Sequence, residues 1–213
     1  MFIGHYGLAY AAKKKFRKIP LWVLFLSVQL VDLVAFILIL SGVEKAAYRE
    51  DINPFFRTNI DLPYSHSLVG ALLLGAAVYW ILKLAKRKSW APIAALCVLS
   101  HWVIDWLVHT PDLSILFGCC KVGLGLWSYP YLSFALEIIL VLAGWLILGY
   151  RNPVSFLLLL LLVAGFTGMI FVAEPEAVKN NASLRTLVVL VPNMIFIALA
   201  YFSEKLQGKK ASE

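Results

Sequence analysis

Seven residues that can bind metal ions or carry protons stand in or beside long apolar stretches of this 213-residue chain: His5, Asp32, His66, His101, Asp105, His109 and Glu137. Ionisable groups in hydrocarbon are costly and usually mark function. The densest run is Ser100-His101-Trp102-Val103-Ile104-Asp105-Trp106-Leu107-Val108-His109, which reads H-x3-D-x3-H. Residues four apart share a helix face, so His101, Asp105 and His109 form a stripe along about two turns. Imidazole and carboxylate are the usual zinc ligands, and this spacing lets neighbours share one cation. A set without thiolate also suits manganese or iron. The competing reading of the stripe is a ladder of hydrogen-bonded groups joining helices. Unpartnered buried carboxylates would be forced to protonate. Divalent cations would balance Asp32, Asp105 and Glu137; the nearest basic candidate is Lys121.

The elements that must position these residues are apolar. Hydrophobic residues make up 62 % of the chain and charged ones only 15 %, against roughly 45–50 % and about 25 % in soluble domains. Six blocks, at about 21–41, 66–85, 90–110, 127–149, 154–173 and 184–203, each approach the ~20 residues that cross a bilayer as a helix. They are apolar on every face and lack a strand's period of two. The fold expected is an all-α integral membrane protein with about six transmembrane helices. Ser89, Asn152 and Ser183 sit where helix N-caps belong, and Pro153 suits a first helical position. Disorder, a secreted disulfide scaffold and an ordinary cytosolic enzyme are excluded by composition.

Lysine and arginine set the orientation. Five precede the first block (Lys13, Lys14, Lys15, Arg17, Lys18), four join the second and third (Lys83, Lys86, Arg87, Lys88), and Arg151, Lys205, Lys209 and Lys210 follow on the same side. The opposite side has six: Lys45, Arg49, Arg57, Lys121, Lys179 and Arg185. The positive-inside rule therefore puts both termini in the cytoplasm. The net charge of +7 is topological; the basic residues flank apolar blocks and form no nucleic-acid patch. Cys119 and Cys120 are adjacent, a spacing too strained for an ordinary bridge, and with Cys97 they read as structural rather than metal-binding.

Met1–Ala12 is apolar and precedes the basic run, the reverse of a signal peptide. It reads either as a half-helix of ~18 Å dipping in from the cytoplasm and anchored by Lys13–Lys15, or as an amphipathic helix on the surface. Counting the helical rise from each face puts Asp32 and His101 ~17 Å deep, Glu137 ~15 Å in from the outer face and His5 ~12 Å above Lys13. Asp105, His109 and His66 then climb to the outer face. The candidates fall between mid-bilayer and the outer surface, and the inner half is expected to be bare. Residues 1–150 thus form a metal-site membrane domain. Residues 151–213 add two scaffold spans and a basic tail.

Four segments resemble the YdjM-type family of bacterial inner-membrane proteins described as metal-dependent hydrolases. They are Met1-Phe2-Ile3-Gly4-His5-Tyr6-Gly7, Tyr64-Ser65-His66-Ser67-Leu68, Ser100-His101-Trp102-x2-Asp105-x3-His109-x-Pro111-Asp112 and Lys121-Val122-Gly123-Leu124-Gly125-Leu126-Trp127. The resemblance covers about residues 1–150. More distantly, the order of histidines and acids is similar to zinc-dependent phospholipase C and single-strand nuclease enzymes. That likeness implies His5, Asp32, His66, His101, Asp105, His109 and Glu137 as ligands. Two departures stand out. The chain starts with Met and has His only at position five, which argues against a metal-bound terminal amine. No histidine follows His109, so two ions, of zinc first, are expected rather than three.

The activity expected is a membrane-embedded hydrolase of a phosphoester in a lipid or lipid-linked substrate at the periplasmic side. Two cations would hold the phosphate and lower the pKa of a water. Asp32 or Asp105 would bridge them or act as general base. Lys121 would neutralise a phosphate oxygen, or be an ordinary interfacial lysine. Ser65 and Ser67 read as caps or supports of His66, and Asp112 as a turn residue or a partner of a ligand. A metal-ion or proton transporter and a non-catalytic metal-stabilised scaffold are the rivals. The connection Gly42–Pro63, with Pro54, reads as a lid over the site or as a simple link.

Overall fold

A computed structural model describes residues 1–48 and 58–210. The middle of the Gly42–Pro63 connection, with Arg49, Pro54 and Arg57, lies outside the described residues, as do the last three positions. The chain starts with helix α1 (Gly4–Lys15) and then α2 (Leu21–Leu40). A hairpin of β1 (Lys45–Tyr48) and β2 (Thr58–Asp61) leads to α3 (Leu68–Leu84) and α4 (Ala91–Val108). A second hairpin, β3 (Leu113–Leu116) and β4 (Cys119–Val122), precedes α5 (Pro130–Leu148), α6 (Pro153–Phe171), the short α7 (Glu176–Lys179) and α8 (Ala182–Lys210).

Among the described residues, five helices are long and apolar enough to cross a membrane: α2, α4, α5, α6 and residues 182–208 of α8. The chain is thus a mostly helical, multi-pass membrane protein. The block expected at 66–85 forms α3, an apolar helix shorter than these at 17 residues. Two antiparallel hairpins, which the block pattern did not foreshadow, occupy polar connections between helices.

Helix starts follow local chemistry. Asn152 caps α6, its Oδ1 accepting from the Ser155 amide at 2.9 Å, with Pro153 first in the helix. Ser89 does not cap α4, whose N-cap is Trp90 without a side-chain bond. Ser183 lies inside α8, and Asn181 accepts the Leu184 amide at 2.9 Å in its place. Ser67 caps α3 by accepting from Gly70 N at 2.8 Å.

Helix α1 is enclosed by the bundle rather than laid on its surface. Tyr6, Ala9 and Tyr10 are buried. It packs most extensively on α5, and next on α2. Two glycines make that approach possible: a Cβ on Gly144 would fall 2.2 Å from the Gly7 carbonyl oxygen, and one on Gly7 would fall 2.3 Å from that of Leu140. Small residues at such crossings let backbones touch. The far end of α1 is pinned by Lys13, whose Nζ donates to the carbonyls of Arg17 (2.6 Å) and Ile19 (2.8 Å) and pairs with Glu204 of α8. Of the three anchoring lysines expected, only Lys13 is buried; Lys14 and Lys15 are exposed. One apolar core runs through α1, α2, α5, α6 and α8, from Tyr6, Tyr10 and Phe25 to Leu162, Phe166 and Ile197.

Candidate metal centre

The centre is built on α4, whose stripe places His101, Asp105 and His109 in the bundle, all buried. His5 comes from the first turns of α1, Asp32 from α2, and His66 from the turn that enters α3. Asp105 is the hub. Its Oδ2 stands 3.1 Å from His101 Nε2, 3.7 Å from His66 Nε2 and 4.0 Å from His109 Nε2. Its Oδ1 stands 3.3 Å from His5 Nε2. Asp32 Oδ1 closes the other side, 3.2 Å from His66 Nε2 and 3.6 Å from His101 Nε2. The rings of His5 and His101 are stacked, 3.8 Å apart.

The Nδ1 atoms of His101, His109 and His66 each have a partner. His101 Nδ1 donates to the Val28 carbonyl at 2.6 Å, which leaves the Nε2 lone pair facing the two aspartates. Asp112 Oδ1 accepts from His109 Nδ1 at 2.9 Å, the supporting role expected of Asp112. Ser65 Oγ sits 3.0 Å from His66 Nδ1. Such outer partners fix ring orientation and tautomer in metal sites. The chain behind Ser65 was not foreseen. Glu44 is buried and accepts from the amides of Tyr64 and Ser65 (2.9 Å each) and from Ser65 Oγ (2.7 Å).

The donor set fits a cation. Both ring nitrogens of His5 and Nε2 of His101 are buried without a hydrogen-bond partner. Native proteins rarely leave buried polar atoms so. The close Nε2–carboxylate approaches of His5 and His101 are therefore convergence without hydrogen-bond alignment, an arrangement that could hold a shared cation. Among the described residues, two trios have ligand atoms within 4.8 Å of one another: His5, His101 and Asp105, and Asp32, His66 and His101.

Glu137, expected among the ligands, has backbone partners here. Glu137 is fully buried, but its oxygens accept the amides of Phe2 (2.9 and 2.8 Å) and Gly4 (3.0 Å). It holds the start of α1, and so His5, against α5. Lys121 is exposed on β4, opposite Ser114. The α-amino group of Met1, which the sequence argued away from the cluster, is buried and pairs with Asp105. Among the described residues, this amine and not Lys121 is the basic group paired with Asp105. Nor is the rest of α1 bare of polar groups: Tyr6 donates to Asn193 of α8, and the Tyr10 hydroxyl is buried without a partner.

Comparison of the chain with family models, with curated proteins and with solved structures gave no match.

Proposed function

We propose that this protein is a membrane-embedded, metal-dependent hydrolase of a phosphoester in a lipid or lipid-linked substrate. The observation that carries the reading is the convergence of three histidines and two aspartates, from three helices of the bundle, α1 included, and one turn, around the buried, unpartnered imidazole nitrogens of His5 and His101. The resemblance to the YdjM-type family points the same way. His5, His66, His101, Asp32 and Asp105 would hold the metal, zinc first, with His109 at the rim. A divalent cation there supplies Lewis-acid polarisation of a phosphoryl oxygen. The trios share His101 Nε2, which has one lone pair. His101 would therefore hold a cation either with His5 and Asp105 or with His66 and Asp32.

The remaining work belongs to the chain. Asp105, with 1 % of its side chain exposed, orients the imidazoles; Asp32, with 21 % exposed, is the carboxylate within reach of substrate. Asp32 therefore takes the proton of the attacking water on its carboxylate oxygen. Glu137 and the Gly7–Gly144 crossing keep His5 in register. In the orientation that the lysines favour, both termini are cytoplasmic in a bacterial inner membrane and the site opens to the outer leaflet, where phosphorylated headgroups lie. Lys121 on the exposed hairpin would draw them in.

The test is metal content of the detergent-purified protein by plasma mass spectrometry, beside a folded His101→Ala/Asp105→Ala variant, followed by a phosphoester screen. At least one equivalent of metal, lost in the variant, with metal-dependent release of phosphate or headgroup, is expected. Less than about 0.2 equivalent after metal is added back would sink the hydrolase. Ion passage is the second reading, favoured by Tyr6, bonded to Asn193 of α8, and the unpartnered Tyr10 hydroxyl, which follow one another along α1 between His5 and Lys13. Metal-dependent flux into sealed vesicles without hydrolysis would establish it instead.

A further inference from the structure

The second hairpin carries a feature that the proposed hydrolase does not use. Successive side chains on a strand point to opposite faces, so adjacent cysteines in β4 should hold their sulfurs apart. Here Cys120 has φ +56°, a left-handed conformation that non-glycine residues rarely adopt. The turn before it is already left-handed at Phe117 (φ +32°) and Gly118 (φ +89°), as tight hairpins require. The third positive φ, at Cys120, breaks the alternation and swings both thiols to one side. The Cys119 and Cys120 sulfurs are 2.9 Å apart, and both residues are exposed. The hydrogen bond and charge of Cys119 raise the Cys120 thiol above its ordinary pKa. Strained, non-glycine backbone persists only where the surroundings impose it, and clusters at functional positions. Cys97, by contrast, is buried in α4.

We infer that Cys119 and Cys120 form a redox-active vicinal dithiol that closes to a disulfide by exchange with a disulfide-bearing thiol oxidant. The Cys119 thiolate attacks one sulfur of the oxidant's disulfide, forming a mixed disulfide and releasing one thiolate. The Cys120 thiol then loses its proton and attacks Cys119 Sγ, forming the Cys119–Cys120 bond and releasing the second thiolate. The pair loses two electrons and two protons, and the oxidant gains both as two thiols. The short distance between adjacent Cα atoms, ~3.8 Å, lies below the usual range for a bridged pair. Such a bond is of the easily reduced, regulatory kind rather than the structural kind. It would sit on the strand that runs into Gly125, whose amide donates to the His109 carbonyl at 2.7 Å.

The full-length protein in detergent, reduced and then treated with oxidised glutathione, tests this. After quenching with a maleimide and digestion, the peptide holding both cysteines should be two hydrogens lighter than its reduced form, with no maleimide and no glutathione. Cys119→Ser and Cys120→Ser, each left with one thiol, should keep a stable glutathione adduct that the wild type sheds. A reducing glutathione mixture that leaves ordinary structural disulfides intact should reopen the pair. Two maleimides or two glutathiones on the wild-type peptide, or a disulfide found only between two copies, would overturn the inference. The readout is independent of metal and of hydrolysis.

Discussion

Replacing Glu137 with Gln separates two roles that a buried acid at this depth could play. As a metal ligand it would leave the cation one donor short and the start of α1 in place. As a clamp it would free the start of α1. Its two oxygens receive the Phe2 amide at 2.9 and 2.8 Å and the Gly4 amide at 3.0 Å. Glutamine keeps one acceptor and turns an NH2 group toward an amide donor. A hydrogen bond to a charged group contributes about 1.5–3 kcal/mol, and a buried donor left unpaired costs about 1–3 kcal/mol. One charged bond weakened and one donor partly orphaned sum to roughly 2–4 kcal/mol of local stability. At about 1.4 kcal/mol per tenfold, that is a fall of roughly 30- to 1,000-fold in protection of the first turns. Hydrogen–deuterium exchange read by mass spectrometry on a peptide spanning residues 1–15 measures it, and a peptide from α6 reports any global loss. Loss of metal with N-terminal protection unchanged would falsify the clamp and return Glu137 to the ligand set.

The Gly7–Gly144 contact predicts that Gly144→Ala lowers thermal stability by about 1–3 kcal/mol, the usual cost of overpacking. Gly168→Ala in α6, where nothing lies within 4 Å of the new Cβ, should be neutral in the same melting assay. Removing the Glu44 carboxylate as Glu44→Ala frees Ser65 and lets the His66 ring turn. Metal affinity, read by competition with a chromophoric chelator, should fall about 10- to 100-fold with the helices intact. Chelation should lower the melting temperature of the wild type, because a bound ion present at 100 times its Kd stabilises by about 2.7 kcal/mol. Metal affinity should also weaken on acidification, since each imidazole nitrogen that binds a cation must first lose its proton. Retention that improves at lower pH would contradict a histidine-rich centre.

The stripe on α4 was legible because four-residue spacing on a helix fixes a shared face whatever surrounds it. His5, Asp32 and His66 needed a depth count as well, and in the structure each approaches the α4 stripe or its neighbours. Glu137 passed the same test of type and depth, yet its oxygens go to backbone amides. Depth along a span says nothing of direction around it, and a helix start brought alongside supplies unpaired N–H groups that attract a carboxylate. Glu44 had no signal at all. It lies 21 residues before Ser65 in a polar connection, and only the chain's return from β2 brings the two together. The caps divide for a local reason. Asn152 is followed by Pro153, which starts the helix there, whereas Ser183 has Asn181 two residues earlier to take the role first. Ionisable side chains alone leave the inner half bare. Tyrosine, asparagine and glutamine carry protons and hydrogen bonds without formal charge, and Tyr6, Tyr10, Gln29 and Asn193 are buried in the same bundle as the His/Asp cluster. The two functional readings therefore part at a definable place. A hydrolase needs only the cluster around Asp105, so Tyr10→Phe should leave its turnover intact. Passage of an ion or proton past Lys13 needs the Tyr10 hydroxyl, and the same substitution should abolish flux in vesicles.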